Sequence, residues 1–241
     1  MKFKTSIMTI EDEVDFVRGK TWDELLSSYS FVDIVYLILI GKEPTKEVRQ
    51  MFEAMLSVVM DHGPGVASAL SARISASAKN PLHTSLAAGL LSLGDRHGLA
   101  INGAMEFFYT HEGTENFETL LAEKKKQKIR IPGFGHRIYT TEDVRVKTLF
   151  SIAKEQGVYG KHCAFAWQIR ETLSALSSRE LPINVDGAIA AILCDMGWDA
   201  RFGNVIFLIG RVPGILAHII EEIDQDQGIR RLKEEDIEFI N

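Results

Sequence analysis

Cysteine is scarce in this chain. Its 241 residues hold two, Cys163 and Cys194, far apart and in no CxxC pair. Neither a disulfide framework nor a structural zinc site is therefore expected, no bound metal is called for, and a reducing cytoplasm is the expected home. Long unbroken apolar runs are also lacking. Asp33 interrupts FVDIVYLILI, and Arg211 with Pro213 interrupts VIFLIGRVPGILAHII, so no membrane span is expected. MKFKTSIMTIED turns acidic before an apolar segment develops, and no secretory leader is expected. Positive charge is in deficit: the formal net charge of −6 weighs against nucleic acid as a partner. GxxxxGK(S/T), GxSxG and HExxH do not occur. GPGVAS (63–68) lacks the third glycine of a dinucleotide fingerprint and follows a helical pattern, not a strand.

Helical periodicity is what the chain has in abundance. Phe52, Met55, Leu56 and Val59 recur at i, i+3, i+4, i+7, as do Val146, Leu149, Phe150 and Ala153. Ala166, Ile169, Leu173 and Leu176 continue the pattern. Thr21 with Glu24 forms a capping-box pair, and Gly41 is placed to close the helix ending in YLILI. Alternating strand patterns are scarce, and only the first ten residues have room for a short one. The fold class is all-α.

Polar residues recur where these helical patterns break at glycine or proline. In IPGFGHRIYTTEDVR (131–145), His136 follows a Pro-Gly-Phe-Gly turn and Arg145 lies further on. Glycine admits close approach to a bare backbone, so this histidine is either a surface residue of a loop or faces a ligand lying on the turn. His62 in MDHGPG is either a helix C-terminal cap or a donor into a cleft. His97 in LGDRHGLAING is either an inter-helix contact or a donor. Asp186 in LPINVDGAIAAIL is either an N-cap or a desolvated acid–base group with a raised pKa. Arg211 in LIGRVPGILAH sits among apolar residues, where a guanidinium needs an anion from the protein or from a ligand. His83, His111, His162 and His218 lack such settings and are read as structural or surface residues. The cation run AEKKKQKIR (122–130) reads as a solvated helix face that could also draw in a phosphate.

Taken in order, DHGPG, GDRHGLA, PGFGHR…R, NVDG and IGR…PG resemble the citrate synthase family, and within it the citryl-CoA-cleaving module at the C-terminal end of ATP-citrate lyase. The resemblance runs from TSI near the start to GIRRLKEED near the end. It implies a large helical domain of residues 1–97 with 196–241, and a smaller helical domain, 98–195, that closes over the substrate. It implies catalytic His97, His136 and Asp186, with His62, Arg145 and Arg211 binding substrate. Arg231, or adjacent Arg230, would be lent by the neighbouring subunit of a homo-oligomer that is at least a dimer. Coenzyme A, as part of substrate and product, would lie against Ile131, Pro132, Gly133, Phe134 and Gly135.

The implied activity is cleavage of citryl-CoA to acetyl-CoA and oxaloacetate, with citrate activation left to a separate ligase. The alternatives are a compact citrate synthase or 2-methylcitrate synthase, and a non-catalytic CoA-binding or scaffold homologue. Two departures from the family bear on this. Val144 stands where proline is usual, and His97 is the citrate synthase residue where animal ATP-citrate lyases carry an aromatic. The chemistry suits these residue types. Arginine binds carboxylates bidentately, a histidine N–H stabilises an enolate oxygen, and a carboxyl group moves a proton at carbon.

Overall fold

A computed structural model of the chain describes residues 1–136, 139, 141–177 and 180–240. The short strand expected near the amino terminus is present and is extended by two more. Met8–Glu11 (β1), Val14–Val17 (β2) and Lys20–Thr21 (β3) form a three-stranded antiparallel sheet, with Met8 opposite Val17 and Glu11 opposite Val14. The β1–β2 turn is Asp12-Glu13, both with positive φ (48° and 65°), the backbone that a tight two-residue hairpin demands. Val17 packs with Leu25 and Leu37 in a small core of its own. The Arg18 guanidinium donates to the Ile38 carbonyl (3.1 and 2.8 Å) and ties the hairpin to the following helices.

Eleven α-helices follow among the described residues. Trp22–Ser28 (α1) is capped by Thr21, whose Oγ1 accepts from the Glu24 N–H at 3.2 Å. The Glu24 carboxylate turns instead to Lys20 at 2.6 Å, so the box is half made. Phe31–Ile40 (α2) carries a full capping box from Ser30 and Asp33, and Gly41 ends it in the left-handed region (φ 80°). Next come Lys46–Val58 (α3), Ala67–Ser77 (α4), Leu82–Leu91 (α5), Ile101–His111 (α6) and Phe117–Lys126 (α7). Val144–Glu155 (α8), Lys161–Ala175 (α9), Val185–Asp195 (α10) and Gly203–Gln225 (α11) complete the set.

The periodic residues are the ones buried. Phe52, Met55, Leu56 and Val59 line one face near α3, and Val146, Leu149, Phe150 and Ala153 one face of α8. In α9 the stripe stops at Leu173, because Leu176 is the C-cap and lies at the surface, 38% exposed. Helix α10 is buried on nearly all sides, between α6, α8 and α9. The largest apolar cluster crosses both expected domains, joining Tyr36, Phe52 and Met55 to Phe108, Leu149, Ile189 and Trp198.

Helix α11, with the turn before it, is long and apolar enough to cross a membrane by length and composition. It packs on α3, α4, α5 and α6, and it buries Arg211 and Glu222, which is the anatomy of a core helix. A Cβ at Gly210 would meet the Leu56 carbonyl and one at Gly214 the Met60 carbonyl, so the end of α3 rests directly on α11. That contact sets the position of the loop carrying His62.

Candidate functional site

The site forms where the α3–α4 loop, the 131–145 segment and the starts of α8 and α10 meet α11. In the first of these, the Asp61 carboxylate accepts from the Gly63 N–H at 3.0 Å and tightens the turn around His62. The rings of His62 and His136 stand edge to face, 5.5 Å between centroids at 87°. The Arg145 guanidinium bridges them, with Nη1 3.4 Å from His62 Nδ1 and Nη2 3.4 Å from His136 Nε2. Burial, then the nearby Arg145 charge, pushes the His62 pKa down; burial also pushes His136 down, against the opposing pull of Asp143. Both rings therefore favour the neutral form. His136 Nδ1 accepts from the Tyr139 N–H at 3.1 Å, while Arg145 Nη2, which can only donate, faces Nε2.

Arg145 is held by a residue the sequence reading passed over. Asp143, fully buried, caps α8 by accepting from the Arg145 backbone N–H (3.0 Å), and its carboxylate takes Nε (3.0 Å) and Nη2 (2.7 Å) of the same residue. The clue was present: an aspartate directly before a helical period is an N-cap signature. Val144 occupies the first helical position and is largely exposed. Proline is favoured at that position because its N–H has no intrahelical partner, and with valine there Asp143 still caps the helix.

The glycine turn docks onto the start of α10. Gly133 and Gly135 have φ of 87° and 84°. The Gly133 carbonyl accepts from the Asn184 N–H (3.0 Å), the Gly135 carbonyl from the Asn184 side chain (3.0 Å), and the Gly135 N–H donates to the Pro182 carbonyl (2.7 Å). Ile131 and Gly133 are packed inside, while Pro132, Phe134 and Gly135 are half-buried. Ahead of the turn, Lys125, Lys126, Lys128 and Arg130 are exposed.

Asp186 is not the cap of α10; Asn184 is, accepting from the Gly187 N–H at 3.1 Å. The Asp186 carboxyl is left with a buried Oδ1 that has no hydrogen-bond partner. Such an orphan costs about 1–3 kcal/mol, more than an incidental aspartate warrants. Burial raises its pKa to about 6, against the pull of Arg145 and Arg211. Arg211 is also buried. Its Nε donates to the Val59 carbonyl at 2.7 Å, its guanidinium lies 4.6 Å from the Phe207 ring centre, and its Nη1 has no partner. Two orphaned polar atoms of opposite charge at one site fit a ligand bearing both a carboxylate and a reactive C–H.

His97 reaches the same place from the other side of Phe207, with ring centroids 6.3 Å apart. Its Nε2 accepts from the Ser68 N–H at 3.2 Å and lies 2.9 Å from Ser68 Oγ, so the neutral ring carries its hydrogen on Nδ1. Ser68, fully buried in the first turn of α4, is a second residue the sequence reading missed. No motif marks it.

The structure thus gathers His62, His97, His136, Arg145, Asp186 and Arg211. It does not bring in Arg231, which is exposed on the C-terminal segment, whereas Arg230 is bound to Glu222 (2.6 and 3.1 Å). Arg137, beside His136 in the motif, lies outside the described residues. Among the residues read as structural, His162 pairs with Asp195 and His218 with Asp61, each at 2.9 Å. Cys163 and Cys194 are buried, and burial pushes both thiols up, Cys194 to about 12, so neither is a nucleophile.

Residues 28–233 match the family profile described as citrate synthase, C-terminal domain. The citryl-CoA lyase of Hydrogenobacter thermophilus is 40% identical, with a TM-score of 0.90 over 99% of this chain and 94% of that one. A mutant ATP citrate lyase of Methanosaeta concilii, solved in complex with (3S)-citryl-CoA, is 28% identical, with a TM-score of 0.89 over all of this chain and 42% of that one. The probable ATP-citrate synthase of Dictyostelium discoideum is 26% identical over 95% of this chain, which spans only 39% of that relative's length.

Proposed function

The chain belongs to the citrate synthase family, and on that premise we propose that it is a citryl-CoA lyase, splitting citryl-CoA into acetyl-CoA and oxaloacetate. The observation that carries this reading is the half-buried Asp186 carboxyl, whose buried Oδ1 has no partner and whose pKa is raised to about 6, set beside two arginines. The near full-length likeness to a citryl-CoA lyase supports it.

Cleavage begins with loss of the citryl hydroxyl proton to His136. The oxygen's electrons form the ketone of oxaloacetate, and the C–C bond electrons pass to the acetyl-CoA enolate. The Nδ1–H of His97 donates to the thioester oxygen, where negative charge develops. Asp186, protonated, delivers its proton to the enolate carbon and completes acetyl-CoA. His62, Arg145 and Arg211 hold the carboxylates of the acid half.

In this proposal 98–195 closes on 1–97 with 196–241 and excludes water. The CoA adenine lies along Ile131–Gly135. Arg231 enters the site of a second copy in a dimer or larger homo-oligomer. A separate ligase supplies citryl-CoA in the cytoplasm.

The test mixes purified protein with citryl-CoA and follows oxaloacetate, then mixes acetyl-CoA with oxaloacetate and follows free thiol. Rapid oxaloacetate release with little thiol establishes the lyase. Steady thiol release with citrate accumulating establishes a compact citrate synthase, the second reading, which His97 favours. Loss of turnover in Asp186→Asn separates an enzyme from a CoA-binding scaffold.

A further inference from the structure

His218 lies on α11, two turns beyond Arg211, outside the substrate-facing group. Its Nε2 is 2.9 Å from Asp61 Oδ1, while the other oxygen of that carboxylate accepts from Gly63. Asp61 and Gly63 flank His62, so this one carboxylate holds the histidine's loop at both sides. On its far side His218 Nδ1 lies 3.8 Å from Glu221 Oε2, which takes Arg73 Nη1 at 2.5 Å. Arg73 also binds Glu222 (2.8 Å), a side chain only 1% exposed, which in turn binds Arg230. The ring is thus held between the Arg73–Glu221–Glu222 ion network and the loop, with only 13% of its side chain exposed.

We propose that His218 is a positioning residue for His62, acting through Asp61. The inference rests on the reading of His62 as a group that holds the acid half of the substrate. Exposed ion pairs contribute about 0–1 kcal/mol to stability, and Asp61 and Glu221 are each about half exposed. The effect of His218 therefore falls on the placement of one loop and leaves global stability nearly unchanged.

The test compares His218→Leu with His218→Gln, whose amide N–H can still donate to Asp61. In the free protein, hydrogen exchange of the amides of Asp61, His62, Gly63, Gly65 and Val66 should speed up in H218L and return toward wild type in H218Q, with little change in Tm. The KM for citryl-CoA should rise roughly tenfold in H218L, equivalent to about 1.4 kcal/mol, with kcat little changed and H218Q restoring KM. Unchanged exchange at 61–66 in H218L overturns the proposal. So does a rise spread over the whole of α11 with a lowered Tm, which marks a merely structural residue. If wild type turns over no citryl-CoA, the lyase reading fails while the exchange measurement still decides this one.

Discussion

Gly133 and Gly187 meet through bare backbone: a Cβ on either would sit well inside contact distance of the other's main chain. His136 follows the first by three residues, and Asp186 immediately precedes the second. The contact therefore sets the spacing between the two groups proposed to move protons.

Gly187→Ala tests that contact. Within a helix the change ordinarily gains about 0.5–1 kcal/mol, but here the methyl group collides with the Gly133 carbonyl. Overpacking costs about 1–3 kcal/mol, so Tm should fall despite the better helix former. In steady-state kinetics kcat should drop by more than KM rises.

Asp143→Asn retains a side-chain oxygen to cap α8 but removes the charge that holds the Arg145 guanidinium. Breaking a fully buried pair costs about 3–5 kcal/mol. Arg145 keeps 17% of its side chain exposed, so a smaller loss is expected. Chemical denaturation should show it, and the KM for citryl-CoA should rise because Arg145 is no longer aimed between His62 and His136.

Asp186 makes stability and activity depend on pH in a defined sense. Its pKa near 6 lies above the ordinary 3.8, so ionisation opposes folding. The stabilisation from the neutral carboxyl is complete below about pH 4 and is lost as the pH passes through 6. At about 1.4 kcal/mol per unit this amounts to about 3 kcal/mol. Asp186→Asn should match wild type at pH 4, exceed it in stability at pH 8, and lack turnover at both. Cleavage, which needs the acid form, should decline in kcat/KM above pH 6, while condensation should rise.

Glu222→Gln leaves Arg73 and Arg230 facing an uncharged side chain that is 1% exposed. Tm should fall, and the segment from Gly228 onward should lose its anchor. Faster tryptic cleavage at Arg230 and Arg231 in the folded protein would report that release. An unaltered cleavage rate would mean that the segment is held elsewhere.

The all-α core was legible because each stripe of apolar residues at helical spacing found a partner face, as in α3 and α8. Leu176 shows the limit: the period runs on in sequence after the helix has reached its cap. The amino-terminal sheet was legible only as one short strand, because Met8–Glu11 is too short to display alternation and its turn is Asp-Glu rather than a glycine pair. At the site, six of the seven expected polar contributors converge within one chain; five lie at helix ends or in the loops beside them, where glycine or proline breaks the helical pattern, whereas Arg211 lies inside α11 and is marked by its apolar neighbours. Asp143 and Ser68 escaped notice for the opposite reason. They touch other side chains, not ligand, and one aspartate or serine near a helix start resembles any other cap.

Helix α11 places Gly210, Gly214, His218 and Glu222 four residues apart, with Arg211 beside the first. Each meets a different neighbour: Leu56, Met60, Asp61 and the Arg73–Arg230 pair. The helix thus works as a ruler whose marks have meaning only in one phase. A residue inserted between Gly214 and His218 would turn everything after it by about 100°. Arg211 would keep Val59, while His218 and Glu222 would face away from their partners. Exchanging His218 or Glu222 would affect one contact, whereas changing the number of residues between the marks would undo every contact beyond the change.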